Sequence, residues 1–584
     1  MINVFATLRT FVKLAYPYFG KSEDRWAGRT LTASVLGLEF ALVFVAVALN
    51  EWQGRFFDAL EQHDWTKASH ELIVFVIITV LTIAGGASQY WLGQHFQIRW
   101  RRWMTNRMVG EWLNTGRHYR LPLIDAEIDN PQLRVINDVS IFVQKTHEVG
   151  SSFVGVLVTL VSFSIILWAL SERIPLPFLG RDFSFPGYLI VFAFIYAALG
   201  TLAAHLLGWR LVSLNFDQQK READLRYAAQ HAHDHAEQVA LLNAEEIERA
   251  GIGRRVDGLI QNWRKLTSIQ TRLNGFSAGY NQVSVIFPIL IVSPAYLVGA
   301  IPLGALVQAA AAFQKVEQSS AFFISSYAKI AEWKAAMDRI AGLEAALEKI
   351  NNGEGRDRLE LSKDSGEGFS AKDLVMLDAK GERIVGVPSL ELSPGERLLI
   401  SGASGTGKSM LLRGISGIWP YGRGMVRVPQ GGRMFALPER PYFPLGTLRQ
   451  ALCAPADPET IAADALQSAL ADTGLEHLGE KLDSEEDWNS ILSAAEQQRI
   501  GFARALLVEP TMLLMDNPVS ALSEEDVKAL YDLLEKRLPQ SVIISVGAGP
   551  ILTTLHAHAL DLDAKAEEAV AVPANDADKP KRSA

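Results

Sequence analysis

Gly402-Ala403-Ser404-Gly405-Thr406-Gly407-Lys408-Ser409 follows a short apolar run, Arg397-Leu-Leu-Ile-Ser401, and leads into Met410-Leu-Leu-Arg-Gly-Ile415, which has helical character. A strand, a glycine-spaced turn ending in Lys-Ser and a helix together make the layout of a phosphate cradle. Glycines let the backbone take positive φ and turn its N–H groups onto a polyphosphate. Lys408 reaches the outer phosphates, and the Ser409 hydroxyl is placed for Mg²⁺. The stretch predicts a nucleotide-binding α/β domain with residues 402–410 as its contact residues.

Working outward, the chain has 584 residues, 49% of them hydrophobic, which is high for a wholly soluble protein and allows several domains. Part of it is expected in a membrane. The net charge of -9 gives no reason to expect a nucleic-acid partner, and a single cysteine, Cys453, excludes an internal disulfide framework. The first long apolar run begins near Leu31 and lacks a cleavage-type end, so it reads as a retained membrane segment.

Residues 1–29 place Phe5, Leu8, Phe11 and Val12 at helical spacing among basic residues, as in an amphipathic helix at a membrane surface. Apolar runs near 31–50, 72–93, 150–170, 186–208 and 283–304 are each long enough to cross about 30 Å of hydrocarbon. A sixth, 304–328, holds Gln308, Gln314, Lys315, Glu317 and Gln318, and spans only if that face looks into a bundle or a wet cavity. Six spans occupy 30–340. Basic residues from Arg99 to Arg120 and from Arg210 to Arg272 mark cytoplasmic loops, which puts both termini inside. Ile98-Arg-Trp-Arg-Arg-Trp103 is read as an interfacial anchor rather than a base-stacking platform, and His231-Ala-His-Asp-His235 as a solvated helix rather than a metal site. Residues 341–368 are assigned to a linker, 369–562 to the nucleotide-binding domain and 563–584 to a disordered tail poor in large apolar residues.

Six spans followed by a phosphate-cradling domain resemble a half-size ABC transporter with an exporter-like membrane domain. Leu49-Asn-Glu-Trp-Gln-Gly-Arg-Phe-Phe-Asp-Ala-Leu60, the Ile98–Trp103 string, Asp129-Asn-Pro131, Ala236-Glu-Gln-Val-Ala240 and Gly304-Ala-Leu-Val-Gln308 resemble the membrane domain of SbmA/BacA-type peptide importers and YddA-like proteins. Trp419-Pro-Tyr-Gly-Arg-Gly424 and Pro441-Tyr-Phe-Pro-Leu-Gly-Thr-Leu-Arg449 resemble the nucleotide domain of YddA-like and peroxisomal fatty-acyl transporters. The resemblance implies a homodimer in a bacterial inner membrane, with ATP and Mg²⁺ as ligands and uptake of peptides or other bulky polar solutes.

It also implies site residues, several of which depart from the family pattern. Asp516, ending Thr511-Met-Leu-Leu-Met-Asp516, takes the second Mg²⁺-side position. Asn517 follows it where the family has a glutamate that polarises the attacking water, and an amide cannot accept that proton. Glu439 replaces the Q-loop glutamine, and Ala548 the switch histidine. The signature Leu492-Ser-Ala-Ala-Glu-Gln-Gln-Arg499 keeps Ser493, Ala494 and Glu496 at a helix N-terminus but has Ala495 for the glycine that approaches the opposite nucleotide. Ser523 replaces the D-loop aspartate, and no aromatic lies near Leu377, where adenine commonly stacks. These departures predict Mg-ATP binding with weak or no hydrolysis. Glu39, within the first span, and Glu317 are candidates for a proton relay. Two other readings stay open: an ordinary ATP-driven pump in which Glu439 serves as base, and a membrane-anchored nucleotide-binding subunit that transports nothing.

Overall fold

The computed structural model describes residues 4–124, 128, 130–174, 177–178, 181–182, 186–322, 326–352, 359–364, 368–563 and 572–573. It forms two compact units, residues 1–110 with 130–343 and residues 111–129 with 344–584. The segment 111–129, which the sequence places among the spans, groups with the second unit.

The first half of the chain is helical: α1 (Val4–Tyr16), a π-turn Pro17–Lys21, α2 (Arg25–Glu61), α3 (Trp65–Leu113), α4 (Arg117–Ile124), α5 (Val139–Arg173), α6 (Tyr188–Gly208), α7 (Leu211–Asp234), α8 (Glu245–Leu297), α9 (Leu303–Ser320) and α10 (Tyr327–Asn352). Five stretches, Arg25–Glu61, Trp65–Ile124, Pro131–Arg173, Tyr188–Asp234 and Glu245–Leu297, are long and apolar enough to cross a bilayer. The polar sixth run is helical as α9, whose 18 residues extend about 27 Å at 1.5 Å each.

Helix α9 packs against α2, α5, α6 and α8. Its small residues explain how: Ala309, Ala310 and Ala312 are buried and let neighbouring backbones approach, as in other membrane bundles. Gly304 is obligatory at the crossing with α2, because a Cβ there would meet the Gly54 carbonyl oxygen at 2.0 Å. The Gly304 N–H donates to Asp58 Oδ1 at 2.8 Å, and Asn50 Nδ2 donates to the Gln308 carbonyl at 3.0 Å. Two strings about 250 positions apart in sequence, 49–60 and 304–308, are thus one contact in space.

Two expectations change. Trp100 is no interfacial anchor: it is 1% exposed, stacked on Tyr18 at 5.7 Å and packed by Phe19, Phe96 and Phe142. Of the two tryptophans in 98–103, Trp100 serves a core, while Trp103 stays half-buried beside Tyr18 at 5.5 Å. The stretch 341–368 is helical as far as Asn352, since Leu343, Ala346, Leu347 and Ile350 continue a buried stripe at helical spacing. Within the same stretch, β1 (Glu360–Asp364) pairs in a sheet.

The second unit is α/β. Strands β2 (Phe369–Leu377), β3 (Arg383–Leu392), β4 (Arg397–Ser401), β5 (Gly422–Pro429), β6 (Met434–Leu437), β7 (Met512–Asp516), β8 (Val542–Val546) and β9 (His558–Asp561) alternate with helices, among them α11 (Lys408–Ile415), α12 (Ala494–Val508) and α13 (Glu524–Arg537). A parallel set runs β9-β4-β8-β7-β6, and a second sheet runs β1-β5-β2-β3. Strands β4, β7 and β8 are near-continuous apolar runs because a parallel strand is covered on both faces. Leu398, Ile400, Leu411, Ile415, Leu514 and Ile544 share one core with Phe369, Met376 and Val426 of the second sheet, so α11 is wedged between the two. Of the tail 563–584, Asp563 is ordered and Val572–Pro573 adds antiparallel to the edge strand β9. Residues 564–571 and 574–584 lie outside the described residues.

Candidate functional site

Ligands of open parallel sheets sit beyond the carboxyl ends of the strands, and the quoted loop leaves β4 at that end. Gly405 and Gly407 have φ of +91° and +95°, and a Cβ on Gly407 would also press on Val385 at 3.0 Å. The Lys408 ammonium donates to the Gly402 and Ala403 carbonyls at 2.7 and 2.6 Å, which folds it back along the loop. Thr406 Oγ1 donates to the Ala403 carbonyl at 3.0 Å, closing the turn. At the start of α11, Ser409 Oγ donates to Asp516 Oδ1 at 3.0 Å, so the hydroxyl and carboxylate that would flank Mg²⁺ already touch. Ser404 and Met410 complete the loop and first turn. This arrangement of glycine turns, one ammonium and a Ser–Asp pair fits a Mg-nucleotide.

The residues flanking that cradle are of another kind. Asn517 follows directly on β7 with φ of +48°, its N–H donating to the Val546 carbonyl at 3.0 Å. Ala548 is exposed, two positions past the end of β8. Glu439 is exposed in the loop after β6, and its backbone carbonyl accepts from Gln498 Nε2 at 3.2 Å.

In the signature, Ser493 caps α12. Its Oγ accepts the Glu496 N–H at 3.3 Å and donates to the Glu496 carboxylate at 2.7 Å, while the Ser493 N–H donates to the same carboxylate at 2.9 Å. Those bonds, with His477 nearby, hold the Glu496 carboxyl below its usual range. Ala494 is exposed and Ala495 half-buried. Ser523 caps α13 by accepting the Asp526 N–H at 3.2 Å, so a serine fills that role at the expected aspartate position.

Sequence reasoning missed four residues. Gln498 is buried, and besides the Glu439 carbonyl it bonds Ser520 Oγ at 2.9 Å and the Ala521 N–H at 3.0 Å, tying the loops after β6 and β7 to α12. Only the repeated Gln497-Gln498 in the signature hinted at it. Asp563 accepts the Ala403 N–H with both oxygens, at 3.0 and 2.9 Å. Tyr421 Oη donates to the Leu123 carbonyl at 2.7 Å, and Arg120 Nη2 to the Gly417 carbonyl at 2.9 Å, which is why 111–129 belongs to this unit. The Trp419-Pro-Tyr string was visible; its partner, 298 positions away, was not. Trp419 also comes to Leu377, but its indole N–H is committed to the Leu377 carbonyl at 2.9 Å.

Elsewhere, Glu39 accepts a hydrogen bond from Gln89 and lies against Gly155, where any side chain would collide with it. Glu317 is 4% exposed with Ser284 and Tyr280 as partners. The two acids share no partner among these contacts. His231 and His235 stack at 4.4 Å, and no group of three or more metal-ligating side chains occurs among the described residues. Cys453 is buried, and burial pushes its thiol pKa up.

A helical membrane unit joined to a P-loop α/β unit defines a membrane-embedded protein with an ABC-type ATP-binding domain. Residues 14–297 match the family described as ABC transporter transmembrane region 2, and residues 386–520 that described as ABC transporter. An uncharacterized ABC transporter ATP-binding protein of Haemophilus influenzae is 30% identical over 97% of this chain and 96% of its own. The inner membrane ABC transporter ATP-binding protein YddA of Escherichia coli is 26% identical over 97% of this chain and 100% of its own. A solved bacterial Atm1-family ABC exporter with ATP bound has the same fold, with a TM-score of 0.73 and 14% identity over 91% of this chain and 94% of its own. The chain belongs to the ABC transporter family.

Proposed function

We propose that two copies of this chain form a bacterial inner-membrane solute transporter, both termini cytoplasmic, whose nucleotide domains bind Mg-ATP and hydrolyse it weakly or not at all. The observation that carries the reading is the contrast at the end of β7: Asp516 is paired with Ser409, while the next residue is an amide. An amide orients water but takes no proton, and such a loss commonly costs about 10²–10⁴-fold in rate. Ala548 offers no electrostatic contact to a γ-phosphate, and Ala495 puts a methyl group where the family brings glycine against the partner's nucleotide. ATP then acts chiefly as a ligand that holds the soluble domains together.

Transport would draw on a proton gradient, with Glu317 and Glu39 as carriers. Glu317 supports this best, because a carboxyl fully buried among helices with hydroxyl partners is costly to keep unless it serves a purpose. Peptides or bulky polar solutes are the proposed cargo, by the SbmA/BacA-type resemblance. Uptake into proteoliposomes separates the readings. A gradient alone drives it under this proposal, ATP alone under the pump reading, and neither does if the chain is a nucleotide-binding subunit. A wild-type turnover near one per second or faster, typical of working enzymes, sinks the weak-hydrolysis reading.

A further inference from the structure

Between the π-turn Pro17–Lys21, the start of α2 and the basic stretch of α3 lies a cleft of about 660 Å³, lined by Lys21, Ser22, Glu23, Asp24, Arg102, Trp103 and Arg107 among others. Its floor is rigid. Ser22 donates through its N–H to the Pro17 carbonyl at 3.0 Å and through Oγ to the Tyr18 carbonyl at 2.6 Å, and Tyr18 stacks on the buried Trp100. Its charge is positive. Arg99 pairs with Asp24 at 3.3 Å, which leaves Lys21 and Arg102 against the one further lining carboxylate, Glu23. Lys21 and Arg102 are exposed and have no carboxylate within ion-pairing distance among the described residues. The Arg107 guanidinium lies over the Trp103 ring at 5.7 Å.

The level of this cleft in the molecule narrows its occupant. The apolar run of α2 begins at Leu31 and that of α3 ends before Arg99, so the cleft sits where hydrocarbon gives way to headgroups. Trp26 and Ile98 flank the basic residues and are 64% and 63% exposed. A soluble anion has no use for exposed apolar side chains next to Arg25 and Arg99 in the chain, whereas a molecule with acyl chains does. Basic pockets between spans at the cytoplasmic side suit phosphate headgroups.

We propose that this cleft binds an anionic glycerophospholipid of the leaflet at the Arg25 end of α2. The headgroup phosphate lies between Lys21 and Arg102, and the acyl chains run past Trp26 and Ile98. Such a lipid ties the amphipathic N-terminal helix to the second span and leaves the nucleotide site untouched.

The test counts lipids retained by the full-length purified protein, using native mass spectrometry with equimolar phosphatidylglycerol and phosphatidylcholine as probes. Wild type is expected to keep phosphatidylglycerol preferentially. Each basic side chain near a leaflet adds about fivefold in affinity for anionic lipid, so K21Q should lower the preference about fivefold and K21Q/R102Q about 25-fold, with K21R/R102K retaining it. Lys21 is exposed and has no ion-pair partner among the described residues, so K21Q reads the charge without disturbing the fold even if the double variant misfolds. Equal retention of the two lipids by wild type, or an unchanged preference in K21Q, overturns the proposal. Displacement of the lipid by millimolar glycerol 3-phosphate or inorganic phosphate also overturns it, reassigning the cleft to a soluble phosphate.

Discussion

The nucleotide domain has two halves that share a sheet but differ in what they are made of. The cradle, Gly402–Ser409 with Asp516, is built chiefly from backbone geometry and one Ser–Asp contact, and it has the glycine turns, ammonium and hydroxyl–carboxylate pair that suit a Mg-triphosphate. The surround is Glu439, Asn517 and Ala548 in the segments after β6, β7 and β8, with Ala495 in the first turn of α12; under the proposed reading these side chains do not supply the family's chemistry. Binding depends on φ angles and a few close-packed glycines, which cannot drift without collapsing the turn. Hydrolysis would depend on surface-side groups, of which Glu439 and Ala548 are exposed and Asn517 and Ala495 half-buried. Selection on catalysis can lapse there while the fold stays intact.

Restoration is the strongest way to break this comparison. In N517E/A548H/E439Q/A495G the general base, the γ-phosphate contacts and the room for closure return together. Steady-state hydrolysis should rise about 10²–10⁴-fold over wild type, with ATP affinity by titration calorimetry changing far less. If the four changes leave the rate at background, these side chains are not what limits it, and the cause lies in domain closure. If N517E alone recovers most of the gain, the remaining departures are tolerated variation.

The converse change bears on the cradle. K408A removes a charge-assisted contact worth about 1.5–3 kcal/mol, so nucleotide affinity should fall about 10- to 100-fold. Under the proposed reading the wild-type hydrolysis rate should hardly report it. The divergence of the two readouts is the point: binding lost through 408 without a rate effect, and rate gained through 517 without a binding effect. Unchanged affinity in K408A would mean that the nucleotide is held elsewhere.

Much of this division was legible in the sequence, because cradle and surround are each marked by short strings read within a few residues. The strand–turn–helix around Gly402 and the apolar run ending at Asp516 required no tertiary information, while the departures at 439, 517 and 548 rest on the family resemblance. What escaped reading depends on chain returning from far away. Gln498 bridges residues 22 to 59 positions off, and Tyr421 meets Leu123 across 298. Asp563 had been assigned to the tail on composition, although one carboxylate on the Ala403 N–H suffices to order it. In the membrane unit, the polar face of α9 was visible, but that it forms the centre of the bundle follows from Gly304 and the alanines meeting α2. Composition alone did not reveal that. Trp100 was misjudged because an aromatic among arginines looks interfacial until Tyr18 and Phe142 are placed beside it.

The smallest effect tests whether the surround hides a substitute for its missing histidine. His556 follows Ala548 by eight positions and touches Ser545 of β8, which makes it the candidate to reach a phosphate in place of Ala548. It is 4% exposed, however, with Nε2 on Ser545 Oγ at 2.8 Å and Nδ1 on the Leu552 carbonyl at 2.7 Å, and Tyr531 Oη at 3.1 Å from the same Ser545 oxygen. Burial lowers its pKa to about 4. Above pH 6.5 the imidazole is neutral in both folded and unfolded chain, so its contribution to stability is complete. Below 6.5 the unfolded chain takes up a proton that the folded one refuses, and stability falls by about 1.4 kcal/mol per pH unit until the pH nears 4. H556N lowers stability at every pH by removing buried hydrogen bonds, but it should flatten this slope between pH 6.5 and 4.5 in denaturant titrations of the nucleotide domain's unfolding. Equal slopes in wild type and variant would show that the ring titrates normally and is open to solvent. His556 would then return as a candidate for the phosphate contact, and the surround would be less degraded than its sequence implies.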